Sequence, residues 1–169
     1  AVLKKPCLII TFDDIYEGVY KYAYPILKDF NFNAVLFVCP YFIENQKYFW
    51  WDVVYDHLNR LPISDKVHEF HDNFYYTRYD KTSTFSAFDN IQGYFNCLPP
   101  DEIYKILEKE YEYWSFNHPD IKATTWEKIR EMKDSGFEIG NHSYCHSMLS
   151  ALNEKQLEED FNNSETYFK

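Results

Sequence analysis

The sequence predicts an α/β fold built on a parallel sheet. Two short apolar runs, at residues 7 to 12 and 33 to 38, have the length and the β-branched or aromatic character of buried strands, and residues 137 to 141 are predicted as a third strand. A helical pattern of apolar residues separates the first two runs, and another precedes the third. A strand, a helix and a second strand at this spacing form a βαβ unit with parallel strands and a right-handed crossover.

The first βαβ unit is predicted over residues 7 to 38. The run CLIITF at residues 7 to 12 is continuously apolar, so this strand is predicted to be fully buried. Apolar residues then recur at helical spacing, at Val19, Ala23, Ile26, Leu27 and Phe30. Pro25 lies inside this pattern and should kink the helix, because proline has no backbone N–H to donate. The second buried strand is NAVLFV, at residues 33 to 38.

A long insertion is predicted from about residue 40 to residue 121. It holds the aromatic stretch YFWWDVVYDHL and, after LPPD, a helix with one apolar face at Ile103, Ile106, Leu107, Tyr111 and Trp114. Neither a Gly/Ser linker nor a repeat marks a boundary. The insertion is therefore expected to pack over one end of the sheet within a single domain covering residues 1–169, a length that suits one domain.

The α/β pattern resumes after the insertion. Thr124 and Glu127 have the spacing of a helix capping box, and Gly136 lies where a C-terminal cap belongs. The helix between them has an apolar face at Trp126, Ile129 and Met132. The following run FEIGN is therefore a strand, and a last helix should begin near Asn153 with Leu157, Phe161 and Phe168 on one side.

This assignment brings two pairs of polar residues to the same edge of the sheet. Asp13 and Asp14 end the first strand, while His142 follows the third strand and His146 lies in the loop after it. The carboxyl ends of parallel strands meet at one edge, where the sites of such folds form. Taken alone, the aspartate pair is equally consistent with a solvated turn, and most histidine pairs at this spacing are surface or core residues.

Together the four residues predict a metal site. Two adjacent carboxylates after a buried strand are costly unless a cation or strong hydrogen bonds offset them. Two imidazoles and one carboxylate are the ligands of an open catalytic zinc site. The second carboxylate can then act as a general base towards water.

The composition of the chain limits the classes of molecule that it is expected to bind. The formal net charge is −10, which argues against nucleic acid and anionic membrane surfaces and favours a neutral or cationic substrate. The four cysteines form no C-x-x-C pair, so neither a zinc knuckle nor a disulfide framework is indicated. The chain shows no signal segment and no apolar run of roughly 20 residues. The compartment, cell envelope or cytoplasm, is left open.

Three segments carry a family resemblance. TFDD after a strand, then YKYAYPILKDFNFNAVLFV, then TWEKIREMKDSGFEIGNHSYCHSML resemble the polysaccharide deacetylases of carbohydrate esterase family four, the NodB homology domain. The resemblance implies a distorted (β/α) barrel and one divalent metal, most often zinc, sometimes cobalt or nickel. It implies hydrolysis of N-acetyl or O-acetyl groups on a polysaccharide or oligosaccharide. By motif position, Asp13 is the general base, and Asp14, His142 and His146 are the metal ligands.

The chain departs from the family pattern in three ways. Ile15 replaces the glycine usual after the aspartate pair, and Cys145 lies inside the histidine motif. The later family motifs, which supply an orienting arginine, an oxyanion-hole amide and an acid histidine, have no counterpart: residues 147 to 169 contain neither Arg nor His. The sequence therefore predicts only the first half of a barrel, weakly active or inactive by itself. Its open edges favour self-association.

Two other functions remain as alternatives. A receiver-like signalling domain also binds a metal at an acidic pair after its first strand, but it needs an aspartate after the third strand, where this chain has His142. A non-catalytic carbohydrate-binding module would rely on aromatic side chains. Trp50 and Trp51 are weak candidates for stacking on sugar rings, as are Tyr41 and the Tyr75–Tyr76 pair. For the two tryptophans a place in the core is favoured.

Overall fold

The computed structural model of the protein describes residues 7–69, 75–78, 80–110 and 116–168. The strands are β1 (Thr11–Asp13), β2 (Val35–Val38), β3 (Ser64–Glu69), β4 (Tyr75–Arg78) and β5 (Glu138–Asn141). The α-helices are α1 (Tyr24–Asp29), α2 (Pro40–Asn45), α3 (Trp50–Arg60), α4 (Lys81–Phe95), α5 (Pro100–Glu110), α6 (Trp126–Asp134) and α7 (Glu154–Glu165). A π-helix spans Val19–Ala23, and 3-10 turns span Pro119–Ile121 and Leu149–Ala151.

The chain divides into two compact units. The first contains residues 1–47, 119–146 and 154–169, and the second contains residues 48–118 and 147–153. The predicted boundaries, one domain over residues 1–169 with an insertion at about 40 to 121, stay a prediction. Within the described ranges, no helix combines the length and the apolar character needed to cross a membrane.

The first unit is built on a parallel sheet with the strand order β1-β2-β5. Leu36 pairs with Phe12 on one side and with Ile139 on the other. The parallel α/β arrangement predicted from the sequence is therefore present, in a structure that mixes helices with a small sheet. Closure of the sheet into a barrel stays a prediction.

The first strand is shorter and more exposed than predicted. Only Thr11–Asp13 forms a strand, although Ile10 also accepts a hydrogen bond from the Val35 N–H (2.9 Å). Leu8 is 87% exposed and Ile9 is 74% exposed, so the prediction of a fully buried strand at residues 7 to 12 was wrong. The reason is that β1 lies at an edge of the described sheet, where β2 covers one side only. Self-association through such an edge stays a prediction.

The helix changes type just before Pro25, and the buried face changes with it; the predicted kink stays a prediction. The Tyr24 N–H bonds to the Val19 carbonyl five residues back, so a π-helical turn precedes the proline. The extra residue in that turn rotates the apolar stripe. Tyr24 becomes buried, whereas Ile26 and Phe30, predicted on the apolar face, are 57% and 69% exposed.

Helix α6 follows the prediction except at its cap. The N-cap is Thr125, whose side chain accepts the Lys128 N–H (3.4 Å), and not Thr124. Thr124 is fully buried, and its hydroxyl donates instead to the Glu17 carboxylate (2.9 Å). The buried face is confirmed at Ile129 and Met132, as is the left-handed glycine after the helix at Gly136, whereas Trp126, also predicted on that face, is only half-buried.

The second unit contains α3, α4, α5 and the antiparallel pair β3–β4. Trp50 is 5% exposed, and its ring centroid lies 5.2 Å from that of Phe95, as a core residue requires. Trp51 is half-buried and stacks on Phe49, so a role on sugar rings stays a prediction for it. The predicted apolar face of α5 is buried at Ile103, Ile106 and Leu107. Tyr111 and Trp114, and the side chains of Tyr75 and Tyr76, lie outside the described part.

Candidate metal centre

The structure brings three of the four predicted site residues together. Asp14 follows β1, His142 follows β5, and His146 lies four residues further on. The Asp14 Oδ1 atom lies 3.6 Å from the His142 Nε2 atom and 3.5 Å from the His146 Nε2 atom. The two imidazole rings have their centroids 5.0 Å apart. In the described ranges, these are the three residues whose ligand atoms all lie within 4.8 Å of one another.

These distances suit a shared metal ion better than direct hydrogen bonds. Hydrogen bonds of this kind span about 2.7–3.2 Å, so 3.5 and 3.6 Å are too long. Zinc bonds of about 2.0–2.2 Å at tetrahedral angles place neighbouring ligand atoms roughly 3.3–3.5 Å apart. Two nitrogens and a carboxylate oxygen are also donors that zinc accepts. The residues therefore fit a divalent metal.

Asp14 is partly buried, and a partly buried carboxylate favours a positive charge beside it. Desolvation raises the pKa of Asp14, the nearby His146 and His142 lower it, and the charge of Asp13 raises it again. A bound cation would offset the desolvation that the ionised carboxylate experiences. Asp13 is exposed at the end of β1, close enough to Asp14 for this repulsion to act.

A tight turn places Asp14 at the edge of the sheet. The Ile15 N–H donates to the Asp13 carbonyl (2.7 Å), and Asp14 between them has φ 64°. A three-residue turn with positive φ at its centre is rare and strained. Strain of about 1–3 kcal/mol per residue persists where the surrounding structure holds the chain in place, and it concentrates at functional sites.

Ile15, which replaces the glycine usual after the aspartate pair, has a left-handed backbone conformation that glycine adopts readily. It has φ 58°, an uncommon conformation for a β-branched residue, and its side chain is fully buried. Its carbonyl accepts the Thr124 N–H (3.1 Å), and the Glu17 N–H donates to the Lys122 carbonyl (2.7 Å). These bonds tie the residues after the aspartate pair to the segment before α6.

We expect Ile15→Gly to be less stable than the wild type but slightly more stable than Ile15→Ala. Both variants lose the buried side chain, which costs about 2–5 kcal/mol. Glycine also relieves about 1–2 kcal/mol of left-handed strain, but it loses about 0.5–1 kcal/mol in backbone entropy on folding. Tm measured with EDTA should fall by about 5–15 °C for alanine, and glycine should recover ~1–3 °C of it.

A buried strand position provides the control for this comparison. At Val38, which is fully buried in β2 and has no positive φ, the order should be the usual one, with glycine less stable than alanine. A glycine variant of Ile15 that melts clearly below its alanine variant would show that position 15 is not left-handed in solution.

The loop from His142 to His146 is fixed by hydrogen bonds to its backbone. The His142 N–H donates to the Val38 carbonyl (3.0 Å), which continues the pairing of β5 with β2. The His146 N–H donates to the Ser143 hydroxyl oxygen (2.9 Å). Ser143 and His146 both have positive φ, 65° and 58°. Both His146 and Asp14 therefore reach the centre from strained backbone.

A buried cysteine that no sequence motif singled out lies beside the centre. The Cys39 thiol donates to the His142 carbonyl (3.0 Å), and its sulfur lies 4.0 Å from the Asp14 Oδ1 atom. Burial, followed by the charge of Asp14, raises the pKa of the Cys39 thiol. The Cys145 sulfur lies 3.6 Å from a carboxylate oxygen of Asp160.

Helix α7 contacts this loop through two buried polar residues that lie beside its predicted apolar stripe. Asp160 and Ser164 are 6% and 0% exposed, whereas Phe161, predicted on the apolar side, is 53% exposed. The Tyr144 N–H donates to Asp160 (3.0 Å), and the Ser164 hydroxyl donates to the Asn141 side chain. In the sequence, Asp160 and Ser164 are marked only by their spacing of four residues, and a pattern of apolar residues does not reveal polar ones.

Comparison with known proteins points to one family. Searches of curated proteins and of solved structures gave no significant match. A family model described as Polysaccharide deacetylase matches residues 2–73 and 77–169, and these ranges include both the aspartate pair and the histidine pair. The chain therefore belongs to the polysaccharide deacetylase family, and at that level it is a hydrolase of acetylated carbohydrate.

Proposed function

We propose that this chain is a metal-dependent deacetylase that hydrolyses N-acetyl or O-acetyl groups on a polysaccharide or oligosaccharide. The observation that carries the proposal is the position of Asp14 Oδ1, within 3.6 Å of the Nε2 atoms of both His142 and His146. Zinc is the proposed metal, with cobalt or nickel as substitutes, since imidazole nitrogen and carboxylate oxygen suit all three.

The two adjacent aspartates have different roles in this proposal. Asp14, His142 and His146 would hold the metal, which when bound supplies Lewis-acid chemistry that polarises the acetyl carbonyl and makes a water easier to deprotonate. Asp13 is exposed beside Asp14, and it acts as the general base that takes the proton of the attacking water. The three ligand side chains are only partly buried (15%, 31% and 39% exposed), which leaves access for water and substrate.

The charge of the chain is consistent with this substrate class. An acetylated sugar is neutral, so a protein with a net charge of −10 does not repel it. Hydrolysis of an N-acetyl group consumes one water and leaves acetate and an amine. The metal is needed because the water must be activated at neutral pH, where an exposed aspartate alone is a weak base.

Acetate release separates this proposal from its alternatives. An acetylated chitooligosaccharide incubated with the chain and zinc should release acetate slowly, and an excess of EDTA should stop the release. A binding module would bind the sugar without releasing acetate. The receiver-like alternative gains no support, since β5 leads into His142.

Zinc affinity is expected to fall steeply below about pH 6, because a protonated ligand cannot bind a cation. Free histidine side chains take up a proton near pH 6.5. Since burial raises the pKa of Asp14, protons also compete for this carboxylate at a higher pH than for an exposed one. The affinity for zinc is therefore highest at neutral pH and decreases as the pH falls. Calorimetric Kd values at pH 7, 6 and 5 test this, and a flat profile would argue against histidine ligands.

A further inference from the structure

Asp160 is a buried carboxylate with no role in the proposed chemistry. It lies on α7 and is 6% exposed. One carboxylate oxygen accepts the Tyr144 N–H (3.0 Å), and the other lies 3.6 Å from the Cys145 sulfur. A buried carboxylate is costly unless it is hydrogen-bonded. Both of these contacts are made to the segment between the two histidines of the metal centre.

That segment needs external support to keep its shape. Ser143 and His146 have positive φ (65° and 58°), and each such residue costs about 1–3 kcal/mol. Tyr144 lies between them and is held on both sides of its peptide backbone. Its N–H donates to Asp160, and its carbonyl accepts the Tyr41 N–H (3.0 Å). The bond to Asp160 lies in a buried site, where water competes little for the amide and a hydrogen bond is stronger than in water.

We propose that Asp160 is a positioning residue for the metal centre. By holding the Tyr144 amide, it keeps the loop in the conformation that turns His142 and His146 towards Asp14. Asp160 is not one of the three residues whose ligand atoms converge. The inference rests on the proposed function only in taking these three residues as metal ligands.

Three variants of Asp160 and one control test the proposal. Asp160→Ala removes the acceptor, and Asp160→Leu removes it while filling the space, which keeps the test valid if the alanine variant does not fold. Asp160→Asn retains a carbonyl oxygen for the Tyr144 N–H. Glu159→Gln removes the same charge at an exposed neighbour on α7, whose side chain is 58% exposed.

The measurements are the zinc Kd, the visible spectrum of the cobalt-loaded protein and the exchange rate of the Tyr144 amide in metal-free protein. Residues that orient metal ligands typically contribute about 10–100-fold in affinity. We expect the alanine and leucine variants to bind zinc about 10–100-fold more weakly, with a changed cobalt spectrum and a faster-exchanging Tyr144 amide. Asp160→Asn should recover most of the affinity, and Glu159→Gln should match the wild type.

Two results would overturn the inference. One is a folded Asp160→Leu variant that binds zinc as tightly as Glu159→Gln does. The other is a Tyr144 amide that exchanges equally fast with and without the Asp160 acceptor. A wild-type chain that binds no zinc would instead refute the proposed function, and the amide exchange rates would still decide whether Asp160 holds the loop.

Discussion

Replacing His142 with alanine is expected to weaken zinc binding by about 10²–10³-fold. Zinc-binding free energies of about 10–16 kcal/mol for four-ligand sites correspond to roughly 2.5–4 kcal/mol per ligand, and about 1.4 kcal/mol is a factor of ten. His142 contributes one of the three ligand atoms that lie within 4.8 Å of one another. Its loss leaves Asp14 and His146 as a two-residue site. Calorimetric titration of the metal-free chain with zinc measures the change.

Two further variants make this result specific. His118→Ala removes an exposed histidine of the second unit, whose side chain is 49% exposed, and it should bind zinc like the wild type. Asp13→Asn should also retain the metal, because Asp13 is not one of the three converging residues. If Asp13→Asn released zinc as readily as His142→Ala, the ligand and base roles of the two aspartates would have to be exchanged or abandoned.

Asp13→Asn is expected to lower the rate of acetate release by about 10²–10⁴-fold, the usual contribution of a general base. The amide has nearly the same shape but cannot take a proton from water. Since substrate binding and metal binding are left in place, the loss should appear in kcat and not in KM. Zinc-loaded wild type and variant are compared on one acetylated chitooligosaccharide, over incubations long enough for a slow enzyme.

The control for this prediction is another exposed aspartate of the same unit. Asp29 is exposed at the end of α1, away from both sequence motifs, so Asp29→Asn should leave the rate unchanged within about twofold. An Asp13→Asn variant that keeps more than a tenth of the wild-type rate would mean that another group takes the proton of the attacking water.

The positions of the metal-centre residues could be anticipated from the sequence because they depend on local patterns. Apolar runs and helical spacing located the ends of β1 and β5, and parallel strands bring such ends to one edge of a sheet. Asp14, His142 and His146 lie close together in the structure for this reason. The buried face of α6 and the glycine after it were also readable, since both follow from the periodicity and capping of a single helix.

The burial of whole strands and helices could not be predicted from the sequence, because it depends on neighbours that are distant in the sequence. The apolar run at residues 7 to 12 has the composition of a central strand, yet Leu8 and Ile9 are exposed because β1 is an edge of the described sheet. The π-helical turn before Pro25 moved Ile26 and Phe30 away from the buried side. Composition records how apolar a segment is, but not which partner covers it.

The sequence by itself determined the family, the parallel α/β pattern and the identity of the four candidate site residues. Tertiary structure alone decided how the centre is held. Ile15, Ser143 and His146 adopt positive φ values that no local preference favours, and Asp160 is buried beside the predicted apolar stripe of its helix. The physical reason is that strained backbone and buried charge are stable only with their hydrogen-bonding partners. Those partners, such as the Thr124 and Tyr144 amides, are distant in the chain.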